Sequence, residues 1–392
     1  YNTACIGKWH LGFGEETPNW NGELKPGPLE LGFDYYFGMP VVNSHPPFVY
    51  VENHHVVGID PSDPIVYDEV ADTPIHLEKM GINQIGGAKA AHALYDDTYV
   101  GTTLAGKAVS WIKEKKDAPF FLYFATSDPH RGGGLDEDSS LELKPDLFGN
   151  KHNRGSHQGV KEVFFESEDM QIPAFLPDTA ETRSELAQYY QSCARIDQGL
   201  ARLVEILKEA DLFDKTLILF TSDHGMAFSG GKTTVYEPGL RVPFVVRDPY
   251  SKVRGVRTQS IANHTDITPS LLDFAGELDQ VKQRPKHWVA PEKYWKDKPY
   301  ATNENHGPRK GIETYHGRSW IPILSDTNIT IHDAHFASHT FHEIQMYYPM
   351  RVYRDKEYKL IWNIAHPLPY PFASDLWAAS SFQAQFQQSL SA

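Results

Sequence analysis

Leu217-Ile218-Leu219-Phe220-Thr221-Ser222-Asp223-His224-Gly225 decides how the rest of the chain is read. Four apolar residues without a polar break predict a strand buried on both faces. The Thr-Ser-Asp-His-Gly that follows puts a carboxylate and an imidazole at the strand's carboxyl end, the edge where open α/β sheets place their ligands. Gly225 lets the backbone turn closely behind the two side chains. Taken alone, the turn reads equally well as a polar exit from a strand. The weight therefore falls on whether other segments repeat the pattern.

One does. Pro119 stops a helical stretch, and Phe120 to Ala125 predicts a second buried strand. It ends in Thr126-Ser-Asp-Pro-His-Arg131, again an apolar run, a small polar turn and charged groups. Before it, Leu94, Val100, Leu104, Val109 and Ile112 recur at helical spacing between Ala88 and Glu114. The strongest helical pattern is Glu185 to Ala210, with an apolar stripe through Leu186, Tyr190, Leu200, Leu203 and Leu207 and with Glu, Lys and Arg on the other side. Thr179 is its candidate N-cap. Helix, short loop and strand in alternation predict an α/β sandwich: a mostly parallel central sheet flanked by helices, its strands sharing one active edge.

Arg241 to Arg247 predicts a further core strand, and His264 to Gly276 a helix capped by Thr or Asp. Met350 to Asn363 reads as a β-hairpin turning at Arg-Asp-Lys-Glu, which suits a smaller antiparallel C-terminal subdomain. Val41 to Pro74 and Gly132 to Lys161 read as surface loops, the second covering the mouth of a site. From Phe382 the chain is rich in Gln and Ser, and no terminal element is expected there. The expected organisation is a catalytic α/β domain over 1–278, an inserted loop or linker over 279–311, and over 312–392 the rest of that domain with the start of the antiparallel subdomain.

Bulk properties narrow the function. The chain has 392 residues, 40% of them apolar, enough to bury a large core. A net charge of -14 disfavours general nucleic-acid binding but leaves room for a local basic pocket that takes an anion. Cys5 and Cys193 make neither a disulfide scaffold nor a cysteine metal site. No run approaches the about 20 apolar residues of a membrane span. Nor does a signal peptide show at Tyr1.

The chemistry-bearing residues cluster at predicted strand ends. Lys8 and His10 are two apart in Gly7-Lys-Trp-His-Leu-Gly12 and point to one side of an extended segment, which suits an anion or a developing negative charge, while the pair taken alone reads more readily as a basic surface strand. Asp128 and His130 follow one strand, Asp223 and His224 the other. Lys232 follows paired glycines, but Met226 stands where a phosphate loop needs glycine, so Lys232 reads as a point charge near an anion. Two carboxylates suit a hard cation such as Ca²⁺. Histidines and lysines suit an anionic substrate whose leaving group needs a proton. No G-x-S-x-G elbow is present, and the set lacks an evident nucleophile.

At this point the chain resembles the sulfatases, relatives of alkaline phosphatase. Gly7-Lys-Trp-His-Leu-Gly12, Thr221-Ser-Asp-His-Gly225, and Lys232 ahead of Gly239-Leu-Arg-Val-Pro243 match that family's hallmarks. Asp128-Pro-His-Arg131, Pro173 to Gly199, His316-Gly-Arg-Ser-Trp, Tyr347-Tyr-Pro-Met-Arg351 and Pro369 to Phe382 are most similar to its heparan N-sulfatase (N-sulfoglucosamine sulfohydrolase) branch. The resemblance implies Asp223 as a Ca²⁺ ligand and His224 facing the metal or the sulfate. It implies Lys8 and His10 at the nucleophile and the sulfate, and His130 and Lys232 binding sulfate and assisting the leaving group. Arg131, His342 and Glu343 are implied as substrate contacts.

In that family the nucleophile is a formylglycine made from the Cys or Ser of a C/S-x-P/A-x-R motif, and an Asp pair supplies further metal ligands. Neither motif occurs here, and Cys5 is followed by Ile-Gly-Lys; both are expected upstream of Tyr1. The implied reaction is attack of the hydrated aldehyde on sulfur, departure of alcohol or amine with help from a histidine, and release of sulfate. The expected partner is a sulfated saccharide, with no nucleic acid, no membrane span, and a homodimer compatible with the sequence. A secreted, periplasmic or lysosomal location is expected. The alternatives are an O-sulfatase on a sulfated polysaccharide, a phosphodiesterase or phosphonate hydrolase of the same superfamily, and an inactive fragment or non-catalytic glycan binder.

Overall fold

The computed structural model describes residues 1–14, 17–41, 47–69, 82–87, 89–90, 100–131, 148–150, 155–279, 316–342, 346–377 and 379–391. In chain order the elements are β1 (Asn2–Lys8), β2 (Tyr35–Met39), β3 (Val51–Glu52), β4 (His55–Val56), β5 (Val66–Glu69), β6 (Ile82–Ile85), α1 (Val100–Lys115), β7 (Phe120–Ala125), α2 (Ala180–Glu209), β8 (Ile218–Thr221), α3 (Glu237–Leu240), β9 (Phe244–Arg247), α4 (Ile267–Phe274), β10 (Ala334–His342), β11 (Met346–Asp355), β12 (Lys359–Asn363), α5 (Ser374–Trp377) and α6 (Ser380–Ser391). They fall into two compact units. The first holds 1–216, 222–243 and 371–392, the second 217–221 and 244–370.

The first unit is built on β1. Ala4, Cys5 and Ile6 are fully buried, and β1 lies parallel to both β2 and β7 in a sheet ordered β4-β3-β2-β1-β7. The long ladders of β1 with β2 and β7 are parallel, as expected, and the two-residue strands β3 and β4 add antiparallel at one edge, so the central sheet is mixed. Its backbones meet closely where β1 ends. A Cβ on Gly7, whose φ is +129°, would sit 1.7 Å from the Ala125 carbonyl oxygen. Only glycine allows that approach.

Helix α1 packs on β1, β2 and α2 through fully buried Leu104, Ala105 and Ala108 and nearly buried Ile112. Each such Leu or Ile contributes about 1.5–3 kcal/mol by leaving water.

Three expectations change in this unit. β7 is an edge strand among the described residues, and it alternates, with Phe121 37% and Tyr123 50% exposed on its less covered face. Helix α2 begins as expected, with Thr179 Oγ1 accepting from the Thr182 amide. Its buried side, however, carries Glu185, Gln191, Ser192 and Arg195 beside Leu186, Leu203 and Leu207. Third, the Gln- and Ser-rich tail is helix α6, held by Phe382 against Phe372 and Trp377 and by Ser381 Oγ donating to Glu185 Oε2.

In the second unit the expected hairpin is present. β11 pairs antiparallel with β10 and with β12, in the order β10-β11-β12. The strand from the opening stretch differs from its reading. β8 is half-buried along its length and pairs antiparallel with β9, with no third strand among the described residues. Leu217 and Leu219 pack with Phe244 and Val246 on Trp320, Ile323 and Ile331, while Val245 on β9 is 61% exposed. A continuous apolar run thus serves a one-sided ribbon, and neither β8 nor the Arg241–Arg247 segment is a strand buried on both faces.

After β9 a 3₁₀ turn over His264–Asp266, capped by Asn263, leads into α4, whose own N-cap position is Asp266 without a side-chain cap bond. Asn263 Oδ1 accepts from the Thr265 amide, and Asp266 Oδ2 accepts from the Asn263 amide. Asp266, fully buried, also accepts from the Arg318 amide and pairs with His332 Nε2, both at 2.8 Å. The His316-Gly-Arg-Ser-Trp segment is therefore a structural strut inside this unit. Most of 279–311, the expected linker, lies outside the described residues, as does much of Gly132 to Lys161. Among the described residues no helix is long and apolar enough to cross a membrane.

Candidate active site

Lys8 ends β1, just past the Gly7 contact, and His10 follows in a left-handed backbone conformation with φ 56°. The amides of Trp9 and His10 donate to the carbonyls of Met39 and Pro40, so the whole Gly-Lys-Trp-His segment is tied to the end of β2. Trp9 Nε1 donates back to the Gly12 carbonyl at 2.9 Å. The sequence made this a rigid corner by bounding it with glycines, and the strand pairing fixes where it points.

A second corner is built by the 225–239 loop. The Gly225 amide donates to the Gly239 carbonyl at 2.9 Å, and a Cβ on Gly225 would lie 1.6 Å from the Pro238 carbonyl oxygen. Inside the closed loop the Lys232 amide donates to the Met226 carbonyl, and Thr234 Oγ1 donates to the carbonyls of Gly230 and Gly231. Lys232 is buried to 6% exposure.

These corners share their electrostatics. Burial lowers the Lys8 ammonium from its ordinary range; the Asp223 carboxylate pulls it back up, and Lys232 pushes it down again. Surrounding protein raises Asp223, but His224, the His224 amide and Lys8 together outweigh this and hold its carboxyl below the usual range. The Asp223 side chain is nonetheless 75% exposed. Two lysines and one open carboxylate thus act on one region, from three segments that the sequence left far apart.

His224 is held by its own turn. Its Nδ1 lies 2.8 Å from the Gly225 carbonyl oxygen, which can only accept, so Nδ1 carries a proton. Nε2 then faces Asp223 Oδ2 at 3.6 Å. A carboxylate oxygen and an imidazole nitrogen at that spacing suit neighbouring positions around one cation, and the oxygen is the donor a hard ion such as Ca²⁺ prefers. Among the described residues no group of three or more His, Cys, Asp or Glu stands together as a metal site.

The other expected residues separate into three groups. His130 is half-buried in the turn after β7, with its amide donating to the Ser127 carbonyl at 2.8 Å. Arg131 is buried at 5% exposure, with Nη2 donating to Glu185 Oε2 and the Ala227 carbonyl and the guanidinium over the Phe148 ring. This is an internal ion pair, where the sequence had suggested a substrate contact. His342 closes β10 in the second unit, opposite Met346, and Glu343 lies outside the described residues. What the sequence missed is the buried polar face of α2, where Ser192 Oγ donates to Asp128 Oδ1 and Arg195 lies 3.7 Å from it. The only signal was polar residues, Glu185, Gln188, Ser192 and Arg195, recurring at three- and four-residue spacing.

Neither cysteine is a nucleophile in this setting. Burial pushes the Cys5 thiol up to about 12 and that of Cys193 up to about 11, so both stay protonated at neutral pH.

Known proteins give the arrangement its context. Human N-sulphoglucosamine sulphohydrolase is 29% identical over 341 residues, which takes in 81% of this chain and 62% of that protein. An N-acetylgalactosamine-6-O-sulfatase of Bacteroides thetaiotaomicron is 29% identical over 316 residues, covering 69% of this chain and 53% of that protein. The chain thus spans about three-fifths and about half of these relatives.

Two solved structures share the fold. One, from work on the metabolism of multiple glycosaminoglycans by Bacteroides thetaiotaomicron, has a TM-score of 0.58 at 21% identity and covers 100% of this chain and 79% of its own. Another, in complex with its substrate D-glucosamine-2-N,6-O-disulfate, has a TM-score of 0.51 at 16% identity and covers 100% and 78%. The profile described as Sulfatase matches residues 1–277, well over half of the sequence and every segment that carries Lys8, His130, Asp223 and Lys232, and on that match the chain belongs to the sulfatase family.

Proposed function

We propose that this chain carries the sulfate-binding half of a glycan sulfatase that hydrolyses an N-sulfate on glucosamine. The observation that supports the reading most directly is the mutual influence of Lys8, Asp223 and Lys232. A sulfuryl group brings negatively charged oxygens. Two ammonium groups, one of them lowered by burial, offset that charge at little reorganisation cost. Asp223, with His224 beside it, would hold Ca²⁺, which when bound supplies a further positive charge against the sulfuryl oxygens. His10 and His130 are the groups able to pass a proton to a departing amine or alcohol. The carboxyl-edge corner at Gly7 keeps Lys8 from swinging away.

The N-sulfate assignment rests on the likeness to human N-sulphoglucosamine sulphohydrolase. A second reading, a 6-O-sulfatase on a galactosamine sugar, is favoured by the equal identity to the Bacteroides enzyme. Free sulfate measured from glucosamine N-sulfate and from N-acetylgalactosamine 6-sulfate, with Ca²⁺ and with a chelator, decides between them. The proposal expects release from the first substrate, loss with the chelator, and sharply weaker Ca²⁺ binding in Asp223→Asn. Release from the second substrate alone selects the O-sulfatase, and release from neither by the intact protein removes both.

A further inference from the structure

His130 sits on the chain between two buried anchors, and both are gripped by one helix. Asp128 Oδ1 accepts from Ser192 Oγ at 3.1 Å and lies 3.7 Å from Arg195 Nη2. Arg131 Nη2 donates to Glu185 Oε2 at 3.1 Å. Glu185, Ser192 and Arg195 fall on one face of α2, two turns and then one turn apart. Arg195 is also tied elsewhere, with Nη1 donating to Asn150 Oδ1 at 2.6 Å and Nη2 to the Phe148 carbonyl at 2.7 Å. Glu162 Oε2 lies 3.5 Å from Arg195 and accepts from Gln191 Nε2.

Such a network is a poor way to gain stability. Burying paired charges roughly cancels its own Coulombic gain, and apolar side chains of the same size would serve the fold as well. What a satisfied polar network does supply is a single allowed geometry. Here the geometry it fixes is that of the four-residue turn Asp128–Arg131, whose third residue is a histidine.

We propose that Asp128 and Arg131, held by Ser192, Arg195 and Glu185 of α2, are positioning residues for His130. The inference rests on the reading of His130 as a proton-donating group of a sulfatase. The cluster also gives the turn a pH dependence. Three carboxyls (Asp128, Glu162 and Glu185) share two guanidiniums (Arg131 and Arg195), and the Cys193 thiol also acts on Asp128. Burial and Glu162 push Asp128 up to about 6 against the pull of Arg195 and Ser192.

The test is kinetic, on the intact enzyme with N-sulfated glucosamine. Asp128→Asn, Glu185→Gln and Ser192→Ala are expected to lower kcat by about 10- to 100-fold, the loss that follows displacement of a catalytic group by about 1 Å. The same changes made in a His130→Ala background should cost less than about 2-fold more, because the positioned group is already gone. Equal losses in both backgrounds overturn the proposal. In the wild type the kcat profile should bend near pH 6, and Asp128→Asn should remove that bend.

Ser192→Ala removes one hydroxyl and no charge, so it carries the kinetic test on its own should a charge change unfold the protein. A protein that releases no sulfate from any substrate refutes the sulfatase reading instead. Amide exchange then decides the positioning inference. Exchange across 127–131 should quicken at least about tenfold in Asp128→Asn and Glu185→Gln while α1 stays protected, and unchanged exchange overturns it.

Discussion

The Gly225 amide donates to the carbonyl of Gly239 at 2.9 Å and so closes the loop that carries Lys232. The bond needs the two backbones nearly in contact. A Cβ on Gly225 would stand 1.6 Å from the Pro238 carbonyl oxygen, well inside any tolerated contact. Gly225→Ala is therefore expected to open the loop and to cost about 2–4 kcal/mol as backbone strain and a lost hydrogen bond. Chemical denaturation measures the loss, and a variant as stable as the wild type would show the closure to be dispensable.

Lys8 reports on its neighbours. Burial and Lys232 lower its titration, and Asp223 raises it. Lys232→Met should move the Lys8 pKa up by removing a like charge. Asp223→Asn should move it down by removing an opposite one. NMR titration of labelled lysine, or the pH dependence of amine modification, reads both. Shifts of the same sign in the two variants would mean that the three groups do not share one region.

Asp128 sets a slope of stability against pH. Its carboxyl is raised from 3.8 to about 6 in the folded chain. Between these values the folded state binds the proton and the unfolded state has lost it, so stability falls as pH rises through the window and is flat above it. The full effect is at most about 3 kcal/mol. In Asp128→Asn that part of the slope should vanish, as seen by the difference between wild-type and variant melting curves from pH 4 to pH 7. An unchanged difference across the window would place the titration elsewhere.

In the second unit, Asp266 is fully buried and accepts from the amides of Asn263 and Arg318 and from His332. Asp266→Ala strands three donors without water and is expected to cost about 3–5 kcal/mol. Asp266→Asn keeps the shape but turns one acceptor into a donor facing another donor, so it should recover little. A loss below about 1 kcal/mol for the alanine variant would mean that water replaces the carboxylate, since that is the scale of a single net hydrogen bond.

The sequence by itself determined α1, β7 and α2 of the first unit and both site corners. The apolar run at Phe120 to Ala125, the cap at Thr179 and the glycines around Lys8 each act through local rules, and each is found where those rules put it. The turn Asp223-His224-Gly225 was legible for the same reason, since its hydrogen bonds run between adjacent residues.

Tertiary structure alone decided the rest. The run Leu217 to Phe220 is equally compatible with a central strand and a one-sided ribbon, because hydrophobicity counts what leaves water and not which partner removes it. Charged Glu185 and Arg195 looked like a solvated helix face until Arg131 and Asp128, more than fifty positions away, supplied their counter-charges. Pairing across such distances depends on how the chain is folded back, and no local pattern encodes it. The same is true of Lys8, Asp223 and Lys232, which the sequence could name as individuals and only the fold could set against one another.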